Sequence, residues 1–365
     1  MNTNLHHRTL EIDLLALKSN VEIFKSYIKP TTKIMGIVKA SGYGHGDYEI
    51  AKALEEVGVN YLGVATSKEA IDLCKKDIKT PILVMNIEEV YFDEIIEHKI
   101  EPSIYSFSQL ELFLSYLTNN KIKAYPIHLK IDTGMHRLGF LKSEIDGLIA
   151  KIIESPELLV KGIFSHLAAA DDEKEDAFTT KQLTLFEQIS NKIENRLGYT
   201  TIKSILNSAG SERFPNQQFD MIRLGIGLFG VSNKLKLNTV TTFKTKISQL
   251  KRLKTGDSVG YGHQTIVEKE TLIGIISIGY ADGFSRSLSN GKGSVFIKGR
   301  YAPVIGKVSM NMTTIDLTEI DGIKTGDVVE IFGKNRPINE LAKQMNTIPY
   351  EVLTSLSNRI VRIYT

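Results

Sequence analysis

The chain has 365 residues, 42% of them hydrophobic and 24% charged, with a formal net charge of +3 from 45 basic and 42 acidic side chains. That length exceeds one ordinary domain and suits one large unit plus a smaller one, while the net charge is too small to argue for nucleic acid or an anionic membrane as partner and does not oppose an anionic small molecule. The single cysteine, Cys74, excludes an internal disulfide or thiolate metal cluster and reads as a structural thiol in a helical pattern. No run of about 18 apolar residues is present, and Met1 to His7 lacks a signal-peptide core, so the chain is expected in the cytoplasm.

Leu10 to Asp13 alternates like a short strand, and Leu14 to Tyr27 repeats apolar residues at helical spacing. Eight strand-like runs follow: Lys33 to Ala40, Tyr61 to Thr66, Ile82 to Met85, Pro102 to Tyr105, Ile127 to Asp132, Lys161 to His166, Thr201 to Asn207 and Met221 to Gly225. Amphipathic helical patterns lie between them, at Asp47 to Val57, Lys68 to Lys75, Tyr91 to His98, Ser106 to Leu117, Lys142 to Glu154, Glu173 to Leu197 and Gly210 to Arg213. Short apolar runs alternating with helices predict parallel strands joined by right-handed crossovers, and eight of them predict closure. No helix pattern follows the eighth run, so the helix at Leu14 to Tyr27 is expected to complete the outer ring. From about Asn238 the texture becomes all-β, with turn signals such as Lys254-Thr255-Gly256-Asp257 and one helix at Pro337 to Gln344. The fold class is therefore α/β: a TIM-type (β/α)8 barrel over residues 1–237, followed by a mainly β domain over residues 238–365.

Residues at the C-terminal ends of barrel strands converge on one mouth, and here those positions are polar. The first barrel strand ends at Lys39 and runs into a glycine-rich turn, Ala40-Ser41-Gly42-Tyr43-Gly44-His45-Gly46. A lysine that loses its proton forms Schiff bases with aldehydes, and burial beside other cations makes that loss easier. Nearby glycines let the backbone approach a bulky anion. The fifth strand carries Lys130 into a loop with Arg137, the sixth ends at His166, the seventh at Asn207-Ser208, and the eighth at Arg223-Leu224-Gly225-Ile226. The acidic run Asp171 to Asp176 reads as a solvated helix start, favourable to the helix dipole.

Those residues, with Val259-Gly260-Tyr261-Gly262, Ile278-Gly279-Tyr280-Ala281-Asp282-Gly283, Gly306-Lys307-Val308-Ser309-Met310 and Ile348-Pro349-Tyr350-Glu351, resemble the alanine racemases, pyridoxal-phosphate enzymes of the barrel-plus-β-domain type. The resemblance spans nearly the whole chain. It implies a homodimer that interconverts L- and D-alanine on a pyridoxal 5'-phosphate aldimine by two bases and supplies D-alanine for peptidoglycan. Lys39 would carry the cofactor and act as one base, and Tyr261 of the partner subunit as the other; two bases on opposite faces suit racemisation. His166 and Arg223 match residues that lower the proton affinity of that phenol. Arg223 also matches an arginine facing the pyridine nitrogen. Being only a donor, it leaves that nitrogen unprotonated and weakens the electron sink. Tyr43, Asn207, Ser208, Tyr350 and the N–H groups of Gly225 and Ile226 match the remaining cofactor contacts, most of them at the phosphate, with Ser208 also readable as a helix N-cap.

Arg137 and Met310 match residues near the substrate carboxylate, and Tyr280 a tyrosine of the entrance. Lys130 matches a lysine that family members often carry as a carbamate. The chain departs from the family pattern at Ser41-Gly42, where Asn-Ala is usual, and at Asn311, where aspartate is common. Three rivals remain beside alanine racemisation: a racemase preferring serine or other small amino acids, a decarboxylase on the same barrel, and a non-catalytic pyridoxal-phosphate carrier. The decarboxylase pattern would bring a cysteine from the second domain, whereas Cys74 lies in the barrel half. The single-barrel carriers lack a second domain. No metal, nucleic-acid or membrane partner is expected.

Overall fold

In the computed structural model, which describes residues 7–365, a short strand β1 (Arg8–Ile12) leads into helix α1 (Leu14–Tyr27). The chain start that lacks a signal-peptide core lies outside the described residues, except for His7. The eight expected barrel strands follow: β2 (Lys33–Ile37), β3 (Tyr61–Thr66), β4 (Ile82–Asn86), β5 (Glu101–Ile104), β6 (Tyr125–Lys130), β7 (Leu158–Phe164), β8 (Ile202–Ser204) and β9 (Met221–Leu224). They form one parallel sheet in the order β8-β7-β6-β5-β4-β3-β2-β9. Backbone bonds from Asp220 N to Lys203 O (3.1 Å) and Arg223 N to Leu206 O (3.0 Å) join its two edges, leaving a nearly closed barrel. Several strands are buried along almost their whole length, because helices cover the outside and side chains fill the inside.

Helix α1 occupies the gap left after the eighth strand, as its sequence position requires. Asp13 caps it, accepting from Ala16 N at 2.8 Å. Its buried Asn20 donates to Leu228 O (3.1 Å) and Asn238 O (2.9 Å) and accepts from Asn238 N (2.7 Å), tying the helix to the segment leaving β9. At the barrel floor Glu101 is held between His128 (2.6 Å) and Lys161 (2.5 Å), a buried ionic layer where apolar filler is the rule.

The second domain is built on the long strand β10 (Thr241–Leu253), around which β11 (Ser258–Val259), β12 (Thr265–Ile266), β13 (Thr271–Ile276), β14 (Ser294–Ile297), β15 (Arg300–Pro303), β16 (Thr313–Asp316), β17 (Val328–Phe332) and β18 (Val361–Tyr364) are arranged. The main path is β15-β14-β17-β10-β1-β18, with β13 and β16 extending from β10 and β11-β12 as a small hairpin. β1 lies inside the range assigned from sequence to the barrel, yet it pairs antiparallel with β10 and parallel with β18. The polypeptide therefore starts in the second sheet before it enters the barrel. Two helices, Ile338–Met345 and Pro349–Thr354, follow β17. The second is too short to show a helical period in sequence. Among the described residues no helix is long and apolar enough to cross a membrane.

The two domains meet at the turn after β2. β2 stops at Ile37, short of the Ala40 expected from the apolar run, because the backbone leaves the extended conformation at Val38 (φ −118°, ψ 15°) and is left-handed from Ala40. Ala40, Ser41, Gly42, Tyr43 and Gly44 have φ of 54, 54, 59, 55 and 80°. For residues other than glycine this conformation costs about 1–2 kcal/mol each, so Ala40, Ser41 and Tyr43 must be held from outside. Arg362 Nε donates to Gly44 O (2.9 Å) and Tyr364 Oη to His45 O (2.8 Å), both from β18. His45, fully buried, stacks on Phe229 with ring centroids 4.3 Å apart. Its Nδ1 faces Gly42 O (3.0 Å), which can only accept, so Nδ1 carries the proton and Nε2 accepts from Thr241 Oγ1 (2.5 Å).

Burial lowers the proton affinity of His45 from the ordinary 6.5 to about 4, so the folded chain keeps it neutral. A depressed value means that this grip is intact above pH 6.5 and is lost as pH falls from 6.5 through about 4, because only the unfolded chain then binds the proton. The thermal midpoint should fall across that window. A His45→Gln variant should be less stable at pH 7 and lose less on acidification, keeping only the share due to other buried histidines; identical pH slopes in the two proteins would contradict this.

Candidate active site

Lys39 leaves the end of β2 and opens onto a cavity of about 450 Å³ at the C-terminal mouth of the barrel. The same cavity is lined by Tyr43, Lys130, Arg137, His166, Asn207, Ser208, Arg223, Gly225, Ile226 and Tyr350. Eleven of the fourteen residues singled out from sequence, counting Lys39, are thus brought together. Tyr261, Tyr280 and Met310 are not: all three are on the second domain and exposed, by 68, 44 and 54%.

Arg223 is the buried centre of the cavity wall. Its Nη1 donates to Ser204 Oγ (2.8 Å), and its Nη2 to Ser165 O (2.6 Å) and Ile205 O (3.3 Å). Nη2 also lies 3.2 Å from His166 Nδ1. A guanidinium only donates, so His166 accepts at Nδ1 and carries its own proton at Nε2. Burial, followed by the charges of Arg223, Lys130, Arg137 and Lys39, pushes His166 well below the usual imidazole range, so it stays neutral.

The two lysines feel the same field. Burial lowers the proton affinity of Lys39, and Arg137 and Arg223 lower it further against the opposing effect of Glu69. Lys130 falls to about 8, through burial first and then Arg223 and Arg137. Both amines are therefore easier to deprotonate than a surface lysine, which is what a nucleophile or base at neutral pH needs. Arg137 is delivered by the loop after β6, whose shape is set by Asp132 Oδ1 accepting from Gly134 N (2.8 Å) and His136 N (3.1 Å).

At the other end, Tyr43 and Tyr350 face each other with ring centroids 6.2 Å apart. Burial raises both phenols, Tyr350 to about 12, so each remains a hydroxyl donor. Gly225 is required here because a Cβ would overlap the Tyr43 hydroxyl. Its N–H, expected to face a phosphate, instead donates to Ser208 Oγ at 3.1 Å, and Gly227 N does so at 3.3 Å. Ser208 is accordingly not the helix cap. That role belongs to Asn207, whose side chain accepts from Gly210 N at 2.9 Å. Ile226 opens the short helical turn that follows β9.

Two acids escaped the sequence reading. Asp171, read as part of a solvated helix start, lines the cavity from an exposed position, and its charge adds to the upward shift of Tyr350. Glu69 reaches the turn after Lys39 from the helix Ser67–Lys75. Its sequence signal was Thr66-Ser67-Lys68-Glu69, a capping-box spacing, which does not say what else the carboxylate touches.

Comparison with known proteins gives a consistent answer. A family model described as "Alanine racemase, N-terminal domain" matches residues 12–233, and "Alanine racemase, C-terminal domain" matches residues 240–364. Alanine racemase 2 of Caldanaerobacter subterraneus subsp. tengcongensis is 35% identical over 367 residues, covering 97% of this chain and 94% of that protein. The solved alanine racemase of a D-cycloserine-producing Streptomyces lavendulae superposes with a TM-score of 0.93 at 29% identity, covering 98% of this chain and 97% of that one. That of Bartonella henselae, with covalently bound pyridoxal phosphate, gives 0.90 at 31% identity over 99% of this chain and all of its own. With matches on both domains and close to the full length of each relative, the chain belongs to the alanine racemase family.

Proposed function

We propose that this protein racemises alanine with pyridoxal 5'-phosphate, using Lys39 of one subunit and Tyr261 of its partner as the two bases. The cavity fits that cofactor. Tyr43, Ser208, Tyr350 and the Ile226 N–H form a donor-rich end for a phosphate, close-packed against Gly225. Lys39 would hold the cofactor covalently, and Arg223 would face its ring nitrogen beside neutral His166. When bound, pyridoxal phosphate supplies an electron-withdrawing ring that acidifies the substrate Cα–H.

The observation that carries the reading is the sign of the charge around Lys39. Lys130, Arg137 and Arg223 are all cations, and Asp171 is the one carboxylate lining the cavity among the described residues. Arg223 only donates, so it offers the ring nitrogen no proton to keep, and a weak electron sink favours return of the proton to Cα over longer-lived carbanion chemistry. Arg137, at the cavity wall, binds and orients the substrate carboxylate. Lys39, with its lowered proton affinity, moves the proton on one face.

On the other face the reading assigns the base to Tyr261, which one chain does not bring to its own cavity. Tyr261, Met310 and Tyr280 are exposed on the second domain, which supports a homodimer in which residues 238–365 complete the site held by residues 1–237 of the partner. Met310 would meet the substrate carboxylate through its N–H, and Tyr280 would line the entrance. Lys130, held near 8, offers an uncharged amine to carbon dioxide; the resulting carbamate would replace repulsion of Arg137 with attraction. The product, D-alanine, would serve peptidoglycan synthesis from a cytoplasmic enzyme.

Cofactor-loaded protein incubated with L-alanine in deuterated water should yield D-alanine carrying deuterium at Cα, faster than L-serine yields its enantiomer, with no exchange in Lys39→Ala. Bound cofactor without exchange would overturn the reading in favour of a carrier. Lys39→Ala and Tyr261→Phe should each be severely impaired, whereas subunit exchange between them should restore about one quarter of wild-type activity, since half the dimers then carry one intact site of two. Failure to complement would contradict a shared site.

A further inference from the structure

The turn that bears Lys39 is gripped on a second side by a residue outside the set assigned above. Glu69 Oε2 accepts from Ala65 N (2.8 Å) and Thr66 N (3.2 Å), and Thr66 Oγ1 accepts from Glu69 N (3.4 Å). Those bonds are the reciprocal capping box of helix Ser67–Lys75 and account for one oxygen. They do not account for Oε1, which accepts from Ala40 N at 2.7 Å. That N–H belongs to the peptide joining Lys39 to the first left-handed residue, Ala40, with φ of 54°. A charge-assisted bond to it fixes the plane of this peptide, and hence the direction of the Lys39 side chain.

We propose that Glu69 is a positioning residue for Lys39: a single carboxylate clamps the Ala40 N–H to the start of helix Ser67–Lys75, aiming the lysine amine into the cavity and setting a negative charge behind it, outside the cavity lining. The other charges that act on that amine among the described residues are positive, Arg137 from the loop after β6 and Arg223 on β9, and the amine in turn acts on Lys130 at the end of β6; Asp171 lines the same cavity from its exposed side. His166, after β7, is neutral. Glu69 alone opposes the loss of the Lys39 proton. Its consequence for turnover rests on the racemase reading, whereas its effect on the amine does not.

Three variants separate aiming from capping. Glu69→Gln removes the charge, Thr66→Ala removes the cap partner while leaving the carboxylate on Ala40, and Glu69→Asp keeps the charge but withdraws it from Ala40. Acylation of Lys39 against pH, read by peptide mass spectrometry on the full chain stripped of cofactor, should have its midpoint lowered by about one unit in E69Q and unchanged in T66A. Capture of pyridoxal phosphate, followed by absorbance, should slow about tenfold in E69D. Equal midpoints in wild type and E69Q, or an undiminished capture rate in E69D, would overturn the proposal and leave Glu69 as a helix cap only. Because both measurements precede any substrate, they keep their meaning even for a protein that failed to exchange the Cα proton of alanine.

Discussion

Five consecutive residues in the left-handed region, three of them not glycine, follow Lys39, and much of the molecule is arranged to keep them there. The local chain has no reason to stay: each such residue is strained by contact of its own Cβ with the backbone. Beside Glu69 at Ala40 N, what holds it comes from the far end of the sequence. β18 contributes Arg362 and Tyr364, β10 contributes Thr241, and the helix Pro349–Thr354 packs so closely that a side chain on Gly44 would overlap Leu353 O. The crossing of β1 into the second sheet, between β10 and β18, ties those elements to the start of the chain. The second domain therefore shapes the lysine-bearing turn of the same chain.

The second constraint is electrostatic. A cluster of Lys39, Lys130, Arg137 and Arg223 at one barrel mouth opposes its own burial, and the protein lives with it by lowering proton affinity. His166 is neutral first because it is buried, and then because Arg223 occupies its Nδ1 and repels a second proton. Lys130 is brought to about 8 and Lys39 is lowered as well. A site of this kind favours anionic groups, and the protonated hydroxyls of Tyr43 and Tyr350 sit where donors to an anion are useful. Carboxylates are kept to the edge: Asp171 at the cavity's exposed side and Glu69 beneath the turn.

The barrel was legible because parallel strands buried on both faces appear as short continuous apolar runs, and because polar residues at their ends stand out against that background. Lys39, His166 and Arg223 were found that way. Four features were hidden for physical reasons. Ala40-Ser41 gives no hint of positive φ, since the contacts that hold the turn come from elsewhere in the chain, from Glu69 and from Thr241, Arg362 and Tyr364. β1 shows the alternation of a strand, but alternation does not name a partner. Adjacent Asn207 and Ser208 are both good caps, and only the closeness of the β9 exit diverts Ser208 to Gly225. Glu69 carries a cap signature that conceals its second bond.

Amide hydrogen exchange over residues 38–46 in an Arg362→Leu, Tyr364→Phe double variant tests most directly whether the second domain holds the lysine-bearing turn. The account predicts faster exchange at Gly42, Gly44 and Gly46, whose N–H groups close the turn onto Val38 O, Ala40 O and Ser41 O, with little change in the barrel strands and a weakened hold on pyridoxal phosphate. Unchanged protection of those three amides would mean that the turn holds without β18, and would contradict the central claim.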